Sequence, residues 1–185
     1  MRKMSTEDRR TALAEVLVGI VAERGLDAVS VREVAAGLGV SIGAVQHYFS
    51  TKAEMLTFAF THSVERTRHR VATLELAGDP ATDTATVLRQ LLPLDDTRRT
   101  DCTVNLAFAA LAATTPALQA IQADLLRDMR DELAAVLGPG LEVHAAMLLA
   151  TVDGLALHEV SAPGTLDPEA MNAALDAAIV AALRR

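Results

Sequence analysis

The 185-residue chain is 51% apolar and 22% charged, which excludes extended disorder and allows a substantial core. Its net charge of −7 is unevenly distributed. The first 70 residues carry ten Lys/Arg against eight Asp/Glu, and the remainder carries seven against sixteen. Because a DNA-binding surface needs only local positive potential, the acidic total does not exclude DNA binding by the N-terminal part.

The single cysteine, Cys102, excludes an intrachain disulfide and suits a reducing compartment. The N-terminus shows no signal-peptide pattern, and no apolar run reaches the roughly 20 residues needed to cross a bilayer. We therefore expect a cytoplasmic protein that makes no membrane contact.

Glycine and proline divide the chain into segments with helical periodicity, and none shows sustained alternation of a strand. The sequence predicts an all-α fold of about nine helices. Ser5 is the expected N-cap of the first, and Gly25 ends it. The predicted helices span about 5–24, 30–38, 41–49, 51–77, 81–92, 95–113, 116–137, 141–160 and 167–183.

The segment from Ser30 to Leu56 reads SVREVAAGLGVSIGAVQHYFSTKAEML and predicts a helix-turn-helix. Ser30 and Glu33 have the spacing of a capping box, and Gly39 suits a sharp turn with positive φ. Ser41 is placed to cap the second helix, whose N-terminal end is then free to enter a DNA major groove. The residues expected to pack inward are Val34, Ala35, Leu38, Val40 and Val45.

Residues 5–60 resemble the TetR family of transcriptional regulators. The resemblance lies in Arg9-Arg10-Thr11-Ala12-Leu13, Gly25, Val29-Ser30-Val31, Glu33-Val34-Ala35, Leu38-Gly39-Val40-Ser41-Ile42-Gly43 and Tyr48-Phe49-Ser50-Thr51-Lys52-Ala53-Glu54-Met55-Leu56. It implies a three-helix DNA-binding domain at residues 1–56 and a helical ligand-binding and dimerisation domain at residues 57–185.

The resemblance also implies which residues meet DNA. Ser30, Tyr48 and Lys52 would contact phosphates, Lys52 together with the N-terminus of its helix. Ser41, Ile42, Gly43, Ala44, Gln46 and His47 would lie on or near the groove-facing side of the recognition helix. Many members carry Leu-Tyr where this chain has Val45-Gln46, and His at the position of Tyr48. Gln46 has the chemistry to read an adenine edge by two hydrogen bonds.

The stretch Val152-Asp153-Gly154-Leu155-Ala156-Leu157 resembles the C-terminal domain of several TetR-type repressors. The resemblance implies a homodimer paired through the helices at about 141–160 and 167–183. The expected apolar stripes are Val143, Met147, Ala150, Gly154 and Leu157 on one helix and Met171, Ala174, Leu175, Ala178, Ile179 and Ala182 on the other. Packing of these stripes within one chain is the alternative.

We expect an effector pocket for a mostly apolar small molecule between the fourth and eighth helices. One predicted helix face combines small residues with Cys102 and Asn105, which suits an apolar ligand held by one or two hydrogen bonds. The further candidates are Phe58, His62, Phe108, Met129, Met147 and His158. Each of them could instead be a core or surface residue.

No catalytic residue, cofactor or metal site is predicted. The five histidines form no zinc pattern with a cysteine, and the chain contains neither a phosphate loop nor a nucleophile elbow. The sequence thus predicts a repressor that binds a palindromic double-stranded operator and is released by an effector. A helical small-molecule sensor that does not bind DNA and, less favoured, an enzyme are the alternatives.

Overall fold

The computed structural model describes residues 6–184, with side chains from Asp8 onward, so the predicted cap at Ser5 lies outside the described residues. Within this range the chain forms nine α-helices and no strand, which confirms the all-α prediction. Short 3₁₀ turns follow the first helix and the fifth, at Leu26–Ala28 and Arg89–Leu91. The helices are α1 Thr6–Arg24, α2 Val31–Leu38, α3 Ile42–Gln46, α4 Lys52–Ala72, α5 Pro80–Leu88, α6 Asp96–Ala112, α7 Pro116–Leu137, α8 Glu142–Ser161 and α9 Pro168–Leu183.

Side-chain caps fix the starts of α2, α3 and α4. The hydroxyls of Ser30, Ser41 and Thr51 each accept a hydrogen bond from the amide three residues later, at 3.1–3.2 Å. Each bond satisfies an amide that the first turn leaves without an intrahelical partner. The capping box expected at Ser30 is only half formed, because the Glu33 carboxylate instead accepts a hydrogen bond from Arg24 at 2.6 Å.

The fourth helix ends earlier than predicted, at Ala72 rather than near Ala77. The amides of Ala77 and Gly78 donate to the carboxylate of Asp83 at 2.7 and 3.0 Å. These bonds hold the loop before α5 in a non-helical path, so the side chain of Asp83 replaces the carbonyl partners that a longer helix would supply.

The helix-turn-helix packs as predicted, with one exception. Val34 and Val45 are fully buried, and Gly39 has the expected positive φ of 66°. A β-carbon on Gly37 would lie 2.7 Å from Val16, so this glycine permits the close approach of α1 and α2. Val40 was expected to pack inward but is 46% exposed, because it follows the turn and precedes the cap of α3.

We call residues 6–56 the head and residues 57–184 the body. The chain passes from one to the other inside α4, without a break in the helix. Val104 of α6, in the body, is buried in the same apolar cluster as the core of the head. The boundary between residues 56 and 57 therefore stays a prediction, because the packing runs across it.

The core of the body lies among α5, α7, α8 and α9. Met171, Leu175, Ile179 and Ala182 of α9 are all buried in it, within the single chain. They belong to the stripe that we expected at the dimer interface, so most of that stripe is internal core. The α9 face that remains exposed is the opposite one.

Among residues 6–184, α8 is the one helix long and apolar enough to cross a membrane by those two criteria alone. A third of the stretch (33%) is buried inside the chain, where it packs against α6, α7 and α9. Its buried Glu159 also pairs with Arg99 of α6. Because a core helix of a bundle passes the same test, the feature is weak evidence for a span.

Candidate nucleic-acid interface and ligand cavity

The third helix is largely exposed to solvent, and a single buried side chain anchors it in the fold. Val45 is 0% exposed and is the anchor of α3 in the core of the head. The exposed residues around it are Ser41, Ile42, Gly43, Ala44, Gln46 and His47. They are the residues that the sequence assigned to the groove-facing side, and the fold brings them together on one surface.

The centre of this surface is unusually open. Ile42, 47% exposed, is a large apolar side chain with no cover, while a β-carbon on Gly43 would meet no atom within 4 Å. Gly43 therefore does not serve the packing of α2 against α3. Small, exposed residues at the start of a recognition helix allow its backbone to approach the base edges closely.

The three residues expected to contact phosphates are all in the head. Lys52 is the first residue of α4 and is exposed, and its ammonium donates to the carbonyl of Asp27 at 3.4 Å. Ser30 precedes α2 and uses its hydroxyl as the N-cap. Tyr48 is half-buried, with its ring edge-on to His47 at 5.5 Å between centroids. A helix N-terminus and an ammonium side by side form an anion-binding arrangement.

The body contains a central cavity of about 320 Å³, bounded by α4, α6, α7 and α8. Three of the predicted ligand residues, Cys102, Asn105 and Met129, line it together. A second cavity of about 420 Å³ adjoins it and shares Asn105 and Met129 in its wall. Both volumes lie in the range of small-molecule sites.

The other predicted ligand residues lie elsewhere. The imidazole Nε2 of His62 donates to the carboxylate of Glu15 at 2.8 Å, and Phe58 packs against Phe49 of the head. Both residues are on the far side of α4, where they line a separate pocket of about 670 Å³. Phe108 is buried and stacked on Phe60. Met147, 59% exposed, and the exposed His158 are on the outer face of α8.

Cys102 is a structural thiol. Burial raises its pKa to about 12, with the nearby Asp101 carboxylate adding to the effect. The sulfur donates a hydrogen bond to the carbonyl of Leu91 at 3.2 Å. At neutral pH the group is therefore a protonated donor in the cavity wall, with no nucleophilic thiolate.

Four polar residues that give the central cavity its character were not predicted as ligand residues: Asp101 and Arg98 of α6, Gln122 of α7 and Asp153 of α8. Each interrupts an otherwise apolar helical stripe, which is the signal that could have found them. Only the assembled helices show that these interruptions converge on one cavity.

Asp101 ties the cavity wall to the head through an ion-pair network. Its carboxylate is 3% exposed and accepts hydrogen bonds from Ser63, Arg66 and Arg70 of α4. Arg66 also donates to Glu15 of α1 at 3.0 Å. Burial alone would raise the pKa of Glu15, but the hydrogen bond with His62 and the charge of Arg66 outweigh it and lower that pKa.

Comparison with known proteins accounts for both halves of the chain. Residues 80–184 match the family model of BetI-type transcriptional repressor C-terminal domains. Residues 18–57 match the model of bacterial regulatory proteins of the tetR family. The chain belongs to the TetR family.

Relatives of this TetR-family regulator match it over nearly its whole length. The HTH-type transcriptional regulator PksA of Bacillus subtilis (strain 168) is 29% identical over 180 residues, which cover 92% of this chain and 85% of PksA. A transcriptional regulator from Rhodococcus sp. Rha1 has a crystal structure with a TM-score of 0.88, at 46% identity over 94% of this chain and 95% of that one.

The fold alone is shared more widely. A transcriptional regulator from Saccharomonospora viridis, solved in complex with choline, superposes with a TM-score of 0.77 at 17% identity, over 95% of this chain and 97% of that one. At this identity the likeness carries the arrangement of the helices and no more.

The TetR-family chain also exposes an apolar surface on α8 and α9. Val143 is 70% exposed, and Met147, Leu157 and Val180 are each about half exposed or more. Small residues surround them on both helices: Ala146 and Ala150 on α8, and Ala173, Ala177 and Ala181 on α9. Exposed apolar surface of this kind marks interaction sites.

Proposed function

We propose that this chain is a ligand-responsive repressor that binds a palindromic operator as a homodimer and is released by a small-molecule effector. The observation that carries the proposal is the surface of α3, where six exposed residues surround the single buried anchor Val45. A helix held in this way presents its N-terminal half to a partner, and duplex DNA is the partner for which the geometry is suited. Such a regulator acts on DNA in the cytoplasm.

The exposed surface of α8 and α9 supports the homodimer. One helix-turn-helix contacts only a half-site, whereas a two-fold dimer contacts two half-sites about 34–36 Å apart and gains affinity and specificity. Alanines on both helices would let helices of two copies approach closely, and Val143 and Met147 would be buried between them. The same surface explains the apolar composition of α8 without a membrane.

The ion-pair network supports release by a ligand. Asp101 lines the central cavity and holds Arg66 and Arg70 of α4, and Arg66 reaches Glu15 of the head. A ligand that favours a shifted position of α4 would also shift the two heads of a dimer. It can move that equilibrium only by its difference in affinity for the two states, so operator and effector weaken each other by the same factor.

Three of the eight predicted ligand residues are kept as effector contacts because they share one cavity wall: Cys102, Asn105 and Met129. The choline complex of the Saccharomonospora viridis regulator shows that this fold can hold a small organic molecule. We leave Phe58, His62, Phe108, Met147 and His158 outside the effector site.

The experiment that tests DNA binding is the Lys52→Ala substitution, measured on a duplex that the wild-type protein selects from random-sequence DNA. Loss of one phosphate contact per protomer should weaken binding across sequences and lower the slope of log affinity against log salt by about two per dimer. Fluorescence anisotropy over a salt series measures both quantities.

Arg130→Ala is the matched control, because it removes one exposed cation from α7 in the body. It should leave the salt slope unchanged. If the wild-type protein selects no duplex, the proposal that the chain binds DNA is wrong. If Lys52→Ala has the same salt slope as the control, Lys52 does not contact a phosphate.

A further inference from the structure

The central cavity has one carboxylate whose charge the described part of the chain does not balance. Two other charged residues line the cavity, Asp101 and Arg98. Asp101 is paired with two arginines, and one of these also pairs with Glu15, so that network is neutral as a whole. Arg98 donates to Asp95 at 2.9 Å and to the carbonyl of Arg89 at 3.0 Å, so its charge is matched as well.

Asp153 is different. It lies on α8 in the cavity wall, and no hydrogen bond or ion pair joins it to another described residue. Its side chain is exposed at the rim, yet the surrounding protein desolvates the carboxyl enough to raise its pKa. No cation among the described residues lies beside this carboxylate, so a cation held in the cavity would supply its missing partner.

Two uncharged acceptors in the same wall lack partners. The side-chain oxygens of Asn105 and Gln122 are buried, and neither has a hydrogen bond within the described residues. Buried polar atoms normally have partners, so an unsatisfied pair in a cavity indicates groups kept for a ligand. Because a carboxamide can turn and offer either its oxygen or its amino group, these two residues orient a ligand, whereas Asp153 selects its charge.

We infer that the effector is an organic amine, bound in its protonated form with the ammonium against Asp153. Its N–H groups would donate to the free acceptors, and its apolar body would lie against Phe60, Leu106 and Met129. This identification rests on the proposed function and narrows the expected mostly apolar effector to a cation with an apolar body. A quaternary ammonium, which has no N–H, would leave Asn105 and Gln122 unsatisfied.

The test uses three probes of one shape and different charge: 4-tert-butylbenzylamine, 4-tert-butylbenzyl alcohol and 4-tert-butylbenzoate. Isothermal titration calorimetry with the full chain, free of DNA, measures their affinities near neutral pH. The amine should bind at least ten-fold more tightly than the alcohol, and the benzoate should bind most weakly. Asp153→Asn should abolish most of the preference for the amine and leave the affinity for the alcohol within about three-fold.

Asp124→Asn is the matched control, since it removes the same charge from the exposed surface of α7 and should keep the preference of the wild type. Equal affinities for amine and alcohol, a preference for benzoate, or no amine binding at millimolar concentration would each overturn the inference. So would an Asp153→Asn protein that keeps its preference but shifts from dimer to monomer in sedimentation, because Asp153 would then belong to the interface. DNA is absent from these measurements, so they fail or succeed independently of operator binding.

Discussion

The head and the body place their functional side chains in opposite environments. In the head, the candidate DNA-reading residues of α3 are exposed, and a buried neighbour, Val45, supplies the stability. In the body, the candidate effector residues line a cavity, where the buried oxygens of Asn105 and Gln122 have no partner among residues 8–184. Exposed polar groups cost little on folding, whereas buried unsatisfied ones destabilise the chain. A substitution on the functional surface of the head should therefore leave folding intact, whereas removal of the buried, paired carboxylate of Asp101 from the cavity wall should destabilise the chain.

The sharpest test of this difference is Asp101→Ala. It leaves Arg66 and Arg70 partly buried without their common carboxylate, so the free energy of unfolding should fall by about 3 kcal/mol. Urea denaturation followed by circular dichroism measures the change. Asp128→Ala removes the exposed partner of Arg68 and should cost less than about 1 kcal/mol. Equal effects of the two substitutions would mean that the buried ion pairs of Asp101 do not stabilise the contact between body and head.

A pair of glycines compares structural and functional positions within the head. Gly39→Ala forces a side chain into a positive φ of 66° and should cost about 1 kcal/mol of unfolding free energy. Gly43→Ala enters open space and should leave stability unchanged or slightly raised, while it alters affinity for the selected duplex. Thermal unfolding and anisotropy on both variants separate the two effects. A Gly43→Ala protein as unstable as Gly39→Ala would contradict the open surface.

The smallest expected effect concerns the contact between head and body at Glu15. Its pKa in the folded chain lies below the ordinary value of 4.5, so the unfolded chain binds more protons as the pH falls past that value. The stabilisation that the ionised Glu15 contributes is complete at pH values above 4.5 and is lost as the pH falls through the pKa of the folded chain. The difference in unfolding free energy between wild type and Glu15→Gln should therefore shrink from about pH 6 to pH 3. A difference that stays constant over this pH range would contradict the stabilisation of the ionised Glu15.

The sequence predicted more of the head than of the body. Caps at Ser30 and Ser41 and the turn at Gly39 depend on residues close in the chain, and all three are confirmed. The interior of the body depends on which helices meet. Periodicity identified an apolar stripe on α9 but not that the chain's own core would bury it.

The cavity shows the limit most clearly. Asn105, Gln122 and Asp153 come from three helices, and their convergence depends on crossing angles that no local pattern encodes. Phe58 and His62 lie outside the central cavity, because α4 turns them toward α1 and the head, where they line a separate pocket. Three of the residues predicted from the sequence, Cys102, Asn105 and Met129, share one cavity wall, and their role as ligand contacts stays a prediction.

The unbroken course of α4 has a mechanical consequence. From Lys52 at the candidate DNA surface to Arg66 at the buried network, the helix rises about 21 Å. A tilt of about 5° around the Arg66 end would displace Lys52 by about 2 Å, more than a phosphate hydrogen bond tolerates. Because α4 is unbroken between these points, in the proposed dimer a sub-ångström adjustment beside the cavity would change the spacing of the two heads on DNA.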